Sequence, residues 1–105
     1  MSQVLPIEVT SVEWEIVQKI LQKYFPKTQV WAFGSRATRH AKKYSDLDLA
    51  IITAKPLELA VSSSLAEDFA QSDLPYKVDI VDWSLTSPAF QKIIESQRVV
   101  IHPAQ

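Results

Sequence analysis

The order of apolar and polar residues along the chain predicts alternating helices and strands. Thr10 to Glu13 has the spacing of an N-terminal capping box, and the apolar positions after it recur every three or four residues. This pattern predicts a helix that Pro26 ends. The apolar run at about 29–33 predicts a buried strand, because Trp, Phe and Val favour a pleated, enclosed surface. A second apolar run at 49–52 predicts the next strand.

The same alternation continues through the second half of the chain. Apolar residues at four-residue intervals follow Lys55-Pro56 and predict a helix with one face on the core. These residues are Leu57, Val61, Leu65 and Phe69. The apolar run 76–83 predicts a strand, and Ser87-Pro88 predicts the start of a last helix, with Pro88 at its first position. Residues 98–101 are predicted to add a short edge strand.

The last helix is predicted to bury a stripe formed by Phe90, Ile93 and Ile94. The two ends of the chain show no strong pattern. We therefore expect residues 1–9 to form a loose N-terminal arm and residues 102–105 to form a frayed tail. Together the elements predict an α/β chain whose sheet carries helices mainly on one face.

Size and composition indicate a single domain over residues 1–105. The hydrophobic content of 47% and the charged content of 22% are ordinary for a soluble chain. The net charge of −1 argues against broad nucleic-acid binding, which calls for a basic face. Zero cysteines exclude disulfides and zinc-thiolate sites. No secretion signal or bilayer-length apolar run is evident, so we expect no membrane contact and a cytoplasmic location.

Gly34, the only glycine in the chain, ends the first predicted strand and directly precedes Ser35. Because glycine has no Cβ, the backbone can turn sharply there, and a bulky ligand can approach the main chain. If a helix begins near Ser35, its free N–H groups and the Ser35 hydroxyl favour an anion. This arrangement predicts a phosphate cradle.

Asp46 and Asp48 stand two residues apart at the entry to the second strand. In a strand this spacing points both carboxylates to the same side, where they repel each other unless a cation lies between them. Mg²⁺ or Mn²⁺, which prefer oxygen ligands, fit such a pair. The two sites also need each other, because a metal held by the aspartates would bind the phosphates that the Gly-Ser turn holds.

Each of these features alone has an ordinary explanation. Asp-x-Asp before a strand is usually a solvated turn or a cap, and Gly-Ser is a common loop dipeptide. The four residues at one spacing, however, arise by chance in a chain of this length about once in a thousand. They also lie in the strand–turn–helix and loop–strand contexts that the chemistry requires. The combination therefore favours a functional site.

The polar loop between Ser35 and Ser45 is basic. Arg36 and Arg39 are close enough to the turn to meet triphosphate oxygens, since arginine suits phosphate geometry, although both are also explained as surface charges. Arg36 is the stronger of these two candidates. His40 is given no role, because a single histidine in a basic loop is seldom a base or a ligand.

Asp79 is predicted to be the third carboxylate of the site. It lies between Val78 and Ile80 in an apolar run, and a lone buried carboxylate costs several kcal/mol unless it is paired or metal-bound. The alternatives are a solvent-facing residue on an edge strand or a salt bridge to Lys77 or Arg36. Asp82, three residues further along the chain, is predicted to face the opposite side, where a capping role is sufficient. It is the second candidate for the third carboxylate.

The stretch GSRA…SDLDLAI carries a family resemblance. Gly-Ser, ten residues and Asp-x-Asp resembles the signature of the nucleotidyltransferase superfamily that includes DNA polymerase beta. The short chain is similar to its minimal nucleotidyltransferases (MNT), which are often encoded beside a helical HEPN-domain partner. The resemblance extends from the first helix to the VDIVDW strand. It implies a mixed, mostly antiparallel sheet rather than a doubly wound parallel one.

The resemblance also implies an activity, namely transfer of AMP from ATP to an acceptor hydroxyl with release of pyrophosphate. Asp46, Asp48 and Asp79 would hold two Mg²⁺ ions, with Mn²⁺ as a possible substitute, and Asp79 would accept the acceptor proton. Gly34 and Ser35 would hold the β- and γ-phosphates. Arg36 would neutralise charge on the pyrophosphate.

The resemblance further implies a protein partner, because the chain has no room for the extra domains that grip an acceptor in larger members. By analogy, the acceptor is a tyrosine of a HEPN toxin, which the chain would silence by adenylylation. Two alternatives remain open. One is a non-catalytic antitoxin that acts by complex formation, and the other is the catalytic subunit of a small-molecule nucleotidyltransferase. The base preference and the oligomeric state are not evident from the sequence.

Overall fold

Four helices and four strands alternate along residues 4–103, the part of the chain that the computed structural model describes. The helices are α1 (Ser11–Tyr24), α2 (Ser35–Thr38), α3 (Leu59–Ala70) and α4 (Pro88–Gln97). The strands are β1 (Val30–Phe33), β2 (Leu47–Ile51), β3 (Val78–Asp82) and β4 (Val99–His102), and a 3₁₀ turn (Trp83–Leu85) follows β3. None of these helices combines the length and the apolar character needed to cross a bilayer.

The four strands form one mixed sheet in the order β3-β2-β1-β4. β1 is antiparallel to both β2 and β4, and β2 is parallel to β3. Two of the three strand pairs are therefore antiparallel, which confirms the predicted fold class. The register places Phe33 opposite Asp48 across β1 and β2, and Asp48 beside Asp79 across β2 and β3.

The two faces of the sheet are covered by different helices, because successive strand residues point to opposite sides. On the first face, Leu47, Leu49 and Ile51 of β2 are fully buried in the core that α1 and α3 complete. On the second face, the core is smaller and is closed by α4. Its buried residues are Trp31, Phe33, Ala50 and Ile94. Asp48 and Asp79 also belong to this second face, because each alternates along its strand with residues of the first.

The capping box at the start of α1 forms as predicted. The Glu13 amide donates to Thr10 Oγ1 at 3.2 Å, and the Thr10 amide donates to Glu13 Oε1 at 3.0 Å. Each side chain thus accepts a hydrogen bond from a backbone amide that has no partner within the helix. Ser87 caps α4 in a similar way, since its hydroxyl accepts from the Phe90 amide at 3.2 Å.

Both ends of the chain differ from the prediction where the structure describes them. Ile7, in the expected loose arm, is 1% exposed within the core, and the Glu8 amide donates to the Arg36 carbonyl at 2.8 Å. His102, in the expected frayed tail, is the last residue of β4, and its Nε2 lies 2.7 Å from the Phe25 carbonyl oxygen. Residues 1–3 and 104–105 lie outside the described residues. Long-range contacts that no local pattern encodes explain both differences.

The buried stripe predicted for α4 is wrong in two of its three positions. Ile94 is fully buried, but Phe90 and Ile93 are 38% and 51% exposed. The core on the second face is small, and Ile94 is the one residue of α4 among its buried members. The neighbouring positions Phe90 and Ile93 therefore stay partly exposed. Phe90 still contacts the sheet edge-on, with its ring centroid 5.8 Å from that of Phe33.

The packing of the N-terminal segment predicts a large stability difference between two substitutions close in sequence. Ile7→Ala should lower the free energy of unfolding by about 2–4 kcal/mol, because it leaves a cavity in the core. Val4→Ala should change it by less than about 0.5 kcal/mol, because Val4 is 85% exposed. Urea denaturation measures both. Equal, small effects would show that the segment is a loose arm.

Candidate active site

Three features of the predicted site meet at one end of the sheet. Asp48 of β2 and Asp79 of β3 are neighbours in register, and Gly34 follows Phe33, the β1 partner of Asp48. Both aspartates are on the second face. The sheet therefore places the two carboxylates and the Gly34 turn in one row across three strands, and Asp46 lies just before β2.

Gly34 touches the Asp48 carboxylate directly. A Cβ atom placed on Gly34 would lie 2.3 Å from Asp48 Oδ2, far inside van der Waals contact. Gly34 also has φ +76° and ψ −161°, a conformation that other residues rarely adopt. The backbone geometry thus favours glycine here, and any larger residue would also have to push the Asp48 carboxylate away from the turn.

Ser35 begins the short helix α2 directly after this turn. The Gly34 carbonyl accepts from the Ala37 and Thr38 amides at 3.1 and 3.0 Å, so the turn and the helix form one hydrogen-bonded unit. Ser35 itself is partly exposed. The phosphate-binding role of its hydroxyl and amide stays a prediction.

The electrostatics of the row show that the three carboxylates interact. Burial raises the pKa of Asp48 above its usual value, and the charges of Asp79 and Asp46 raise it further. Lys77 offsets part of this negative charge, since its Nζ lies 3.2 Å from Asp79 Oδ1. Between residues 4 and 103, no three acidic or histidine side chains are already gathered closely enough to hold a metal ion together. Joint coordination by the three aspartates therefore requires side-chain rotation.

Asp79 is more exposed than its apolar neighbours in sequence imply. Its side chain is 39% exposed, because β3 is an edge strand of the sheet, and it pairs with Lys77. Both alternatives considered from the sequence, an edge position and a Lys77 salt bridge, are therefore present. The expectation of a buried carboxylate is wrong, whereas its position beside Asp48 is the one that a shared site needs.

Asp82 has a structural role at the end of β3. Its carboxylate accepts from Thr53 Oγ1 at 2.5 Å, from the Leu57 amide at 2.8 Å and from the Ser84 amide at 3.0 Å. Burial alone would raise its pKa, but these hydrogen bonds hold the pKa of Asp82 below its usual value. The aspartate thus caps the 3₁₀ turn and secures the connection to α3, as capping from the sequence suggested.

The Arg36 guanidinium is occupied by hydrogen bonds to backbone carbonyls of the protein. It is 6% exposed, and its Nε and Nη1 donate at 2.9 Å to the carbonyls of Ser45 and Glu8. Its Nη2 donates to the carbonyls of Lys43 at 3.2 Å and Lys42 at 3.4 Å. The predicted phosphate contact is therefore not supported by the geometry. Arg36 instead fixes the loop that leads into Asp46.

The Arg36 guanidinium also stacks on Tyr76, with 3.8 Å from its central carbon to the ring centroid. Burial and the nearby Glu13 carboxylate raise the pKa of Tyr76, so its phenol stays protonated and donates to Glu13 Oε1 at 3.1 Å. A groove of about 970 Å³ adjoins this cluster, but none of Gly34, Ser35 or the three aspartates lines it. The groove is therefore separate from the carboxylate row.

The remaining basic loop residues are exposed. Arg39 ends α2 in the left-handed region at φ 63°, and its guanidinium hydrogen-bonds the Leu5 carbonyl. His40 Nδ1 lies 3.3 Å from the Thr38 hydroxyl. Neither side chain is among the groups that the structure brings against Asp48.

Gln97, the last residue of α4, reaches the site without any signal in the sequence. Its Oε1 accepts from the Gly34 amide at 2.9 Å, across 63 positions of sequence. A polar residue at the end of an amphipathic helix is ordinary. The contact depends on the antiparallel return of β4 beside β1, which no local pattern reveals.

Comparison with known proteins identifies the family of the chain. The model of the family described as "Polymerase beta, Nucleotidyltransferase" matches residues 15–105. The chain belongs to this nucleotidyltransferase family. It is also 48% identical over 101 residues to the "Probable protein adenylyltransferase MntA" of Haemophilus influenzae, a match that covers 96% of this chain and 89% of the relative.

Solved structures of toxin–antitoxin complexes contain a chain with a similar fold. One is a chain of a toxin–antitoxin complex with AMP-PNP, with a TM-score of 0.72 and 27% identity over 88% of this chain and 74% of that one. Another belongs to a tri-AMPylated HEPN toxin of Shewanella oneidensis in complex with an MNT antitoxin, with a TM-score of 0.65 and 25% identity over 86% and 69% of the chains. The resemblance noted from the sequence is thereby confirmed.

The contacts of Arg36 predict that its replacement affects stability first. Arg36→Met should lower the free energy of unfolding by about 3 kcal/mol, because it removes donors from several carbonyls. Lys42→Met also replaces a long basic side chain by methionine, but at an exposed position of the same loop, so it should have little effect. Chemical denaturation compares the two variants. Unchanged stability with weakened ATP binding would instead restore the phosphate role of Arg36.

The raised pKa of Asp48 predicts a pH-dependent gain from neutralising it. The folded protein binds this proton more tightly than the unfolded chain, so stability falls as pH rises through the ionisation of Asp48. Asp48→Asn should therefore raise Tm at pH 7 by on the order of 2–4 °C. The gain should vanish near pH 3, where the wild-type carboxyl is also neutral.

Thermal melts of Asp48→Asn at the two pH values test this expectation. Asp73→Asn, at an exposed turn, is the matched control and should show no comparable gain. A Tm at pH 7 that is unchanged or lower in Asp48→Asn would show that the carboxylates do not repel one another in the folded protein.

Proposed function

We propose that this chain is a protein adenylyltransferase that moves AMP from ATP to a hydroxyl of a HEPN-domain toxin, most simply a tyrosine, and so acts as an antitoxin. The observation that carries the proposal is the contact of Gly34 with the Asp48 carboxylate, with Asp79 next in the row. On this proposal, the turn would bind the phosphates and the neighbouring carboxylates would bind the cation that neutralises them, as polyphosphate transfer requires.

The relatives support the choice of acceptor and donor. A protein 48% identical to this chain is named a probable protein adenylyltransferase. Similar folds occur in a toxin–antitoxin complex with AMP-PNP and in a complex of an MNT antitoxin with an AMPylated HEPN toxin. An ATP donor and a helical HEPN partner for this chain follow by similarity.

The residues present fit a divalent cation. Asp46, Asp48 and Asp79 offer the oxygen donors that Mg²⁺ prefers, and a bound cation would offset the burial and the repulsion from Asp79 and Asp46 that raise the pKa of Asp48. We propose that these three aspartates hold two Mg²⁺ ions, with Mn²⁺ as a substitute. The metal would neutralise polyphosphate charge and lower the pKa of the acceptor hydroxyl.

The chain's own groups have distinct tasks in the proposed reaction. Gly34 and Ser35 hold the β- and γ-phosphates at the turn. The acceptor oxygen forms a bond to the α-phosphorus, the bond from that phosphorus to the β-phosphate oxygen breaks, and pyrophosphate leaves. Asp79 accepts the proton of the acceptor hydroxyl, which requires Lys77 to release this carboxylate. Most of the rate enhancement then comes from positioning and electrostatics.

Intact-mass spectrometry tests the proposal. The protein is mixed with MgCl₂, ATP and its cognate HEPN-domain protein, and the partner should gain the mass of one or more AMP groups. Asp48→Asn and Asp46→Asn should slow this gain by about a hundredfold or more, because each removes charge from the proposed metal site. Chelation of the metal with EDTA should stop it.

Asp73→Asn serves as the control, because it removes an exposed carboxylate at the turn after α3. It should modify the partner at the wild-type rate. A stable complex without any AMP adduct, equally tight for the Asp46 and Asp48 variants, would contradict catalysis and leave an antitoxin that acts by complex formation.

A further inference from the structure

The Gly34 turn is held at its two backbone groups by different parts of the molecule. Its carbonyl accepts from the Ala37 and Thr38 amides within α2, which are local contacts. Its amide donates to Gln97 Oε1 at 2.9 Å, which is a contact with the far end of α4. The orientation of the Phe33–Gly34 peptide therefore depends on a side chain from outside the Gly-Ser…Asp-x-Asp signature.

Glycine makes this second contact important. The absence of a Cβ lets the Asp48 carboxylate approach, but it also leaves the Gly34 backbone with more accessible conformations than any other residue has. The observed φ of +76° and ψ of −161° represent one conformation among several open to it. A fixed hydrogen bond to its amide selects that conformation.

Gln97 is well placed to act as a rigid support. Ile94, one helical turn before it, is fully buried on the second face of the sheet. The Arg98 guanidinium lies over the Trp31 ring at 4.5 Å, and Val99 pairs with Ala32 of β1. The backbone on both sides of Gln97 is thus attached to the strand that ends at the turn.

We propose that Gln97 is a positioning residue for nucleotide binding. By accepting from the Gly34 amide, it fixes the turn so that Ser35 and the Asp48 carboxylate face the triphosphate together. The Gly34 amide is then already bonded to Gln97, so the contribution of Gly34 to phosphate binding is the close approach that its missing side chain allows, and Ser35 supplies the donors. This inference rests on the proposed function for its ligand, ATP, but the contact itself is tested without any ligand.

The single glycine of the chain provides a specific probe. Protein without a tag, labelled with ¹⁵N-glycine, gives one backbone amide signal, that of Gly34. Gln97→Met keeps the side-chain length but removes the acceptor, so the signal should shift and its hydrogen exchange should accelerate about fivefold. Gln97→Glu retains an oxygen acceptor and should keep exchange near the wild-type rate.

Gln91→Met is the matched control, because Gln91 lies on the same helix and its Nε2 donates to the Trp83 carbonyl at 3.0 Å. The substitution removes one hydrogen bond made by α4, and the Gln91 side chain is not bonded to Gly34. The Gly34 signal of this variant should coincide with that of the wild type. If Gln91→Met and Gln97→Met change the Gly34 exchange rate equally, loosening of α4 explains both results and the proposal is overturned.

Binding of AMP-PNP with Mg²⁺, measured by calorimetry, gives the functional result. Gln97→Met should weaken the affinity about fivefold, the usual effect of one lost hydrogen bond, while Gln91→Met should stay within about twofold of the wild type. Wild-type affinity in Gln97→Met would overturn the proposal. Normal binding by the wild type without AMP transfer to the partner would count against the proposed function and leave the role of Gln97 intact.

Discussion

The site depends on the close approach of the Asp48 carboxylate to the backbone of Gly34. A Cβ on Gly34 would lie 2.3 Å from Asp48 Oδ2, so any other residue would displace the carboxylate from the turn. The approach is possible because β1 and β2 are antiparallel neighbours, which puts the last residue of one opposite an early residue of the other. The sheet topology thereby joins the Gly34 turn to a carboxylate whose pKa is raised by burial and by the charges of Asp79 and Asp46.

Much of the surrounding structure supports this contact. Arg36 donates to the Glu8 and Ser45 carbonyls and ties the segment before α1 to the loop before Asp46. Buried charge is costly unless it is well paired, and here each guanidinium nitrogen donates to at least one carbonyl oxygen while the guanidinium stacks on the Tyr76 ring. Gln97, on the opposite face of the sheet, accepts a hydrogen bond from the Gly34 amide. The turn is thus stabilised from both sides of the sheet.

The sequence predicted those features that follow from local periodicity or from fixed motifs. The capping box at Thr10, the alternation of helices and strands and the proximity of the Gly34 turn to the aspartates all belong to this group. The burial of Ile7 and the exposure of Phe90 and Ile93 were not predictable, because they depend on which face each element meets. Arg36 shows the same limit for the site: its motif position suggested phosphate, whereas its partners come from residues 8 and 42–45. Gln97 was missed because the antiparallel return of β4 creates its contact.

The edge position of β3 has a consequence for the choice of acceptor. Asp48 lies on an interior strand and is braced by Gly34, whereas Asp79 is on the periphery and is 39% exposed. On the proposed function, the acceptor would approach along this open edge of the sheet, which has little means to enclose a small alcohol. It suits an acceptor that arrives on a folded surface and completes the missing wall itself. Discrimination among acceptors would then be determined by the shape of the incoming protein rather than by a pocket in this chain.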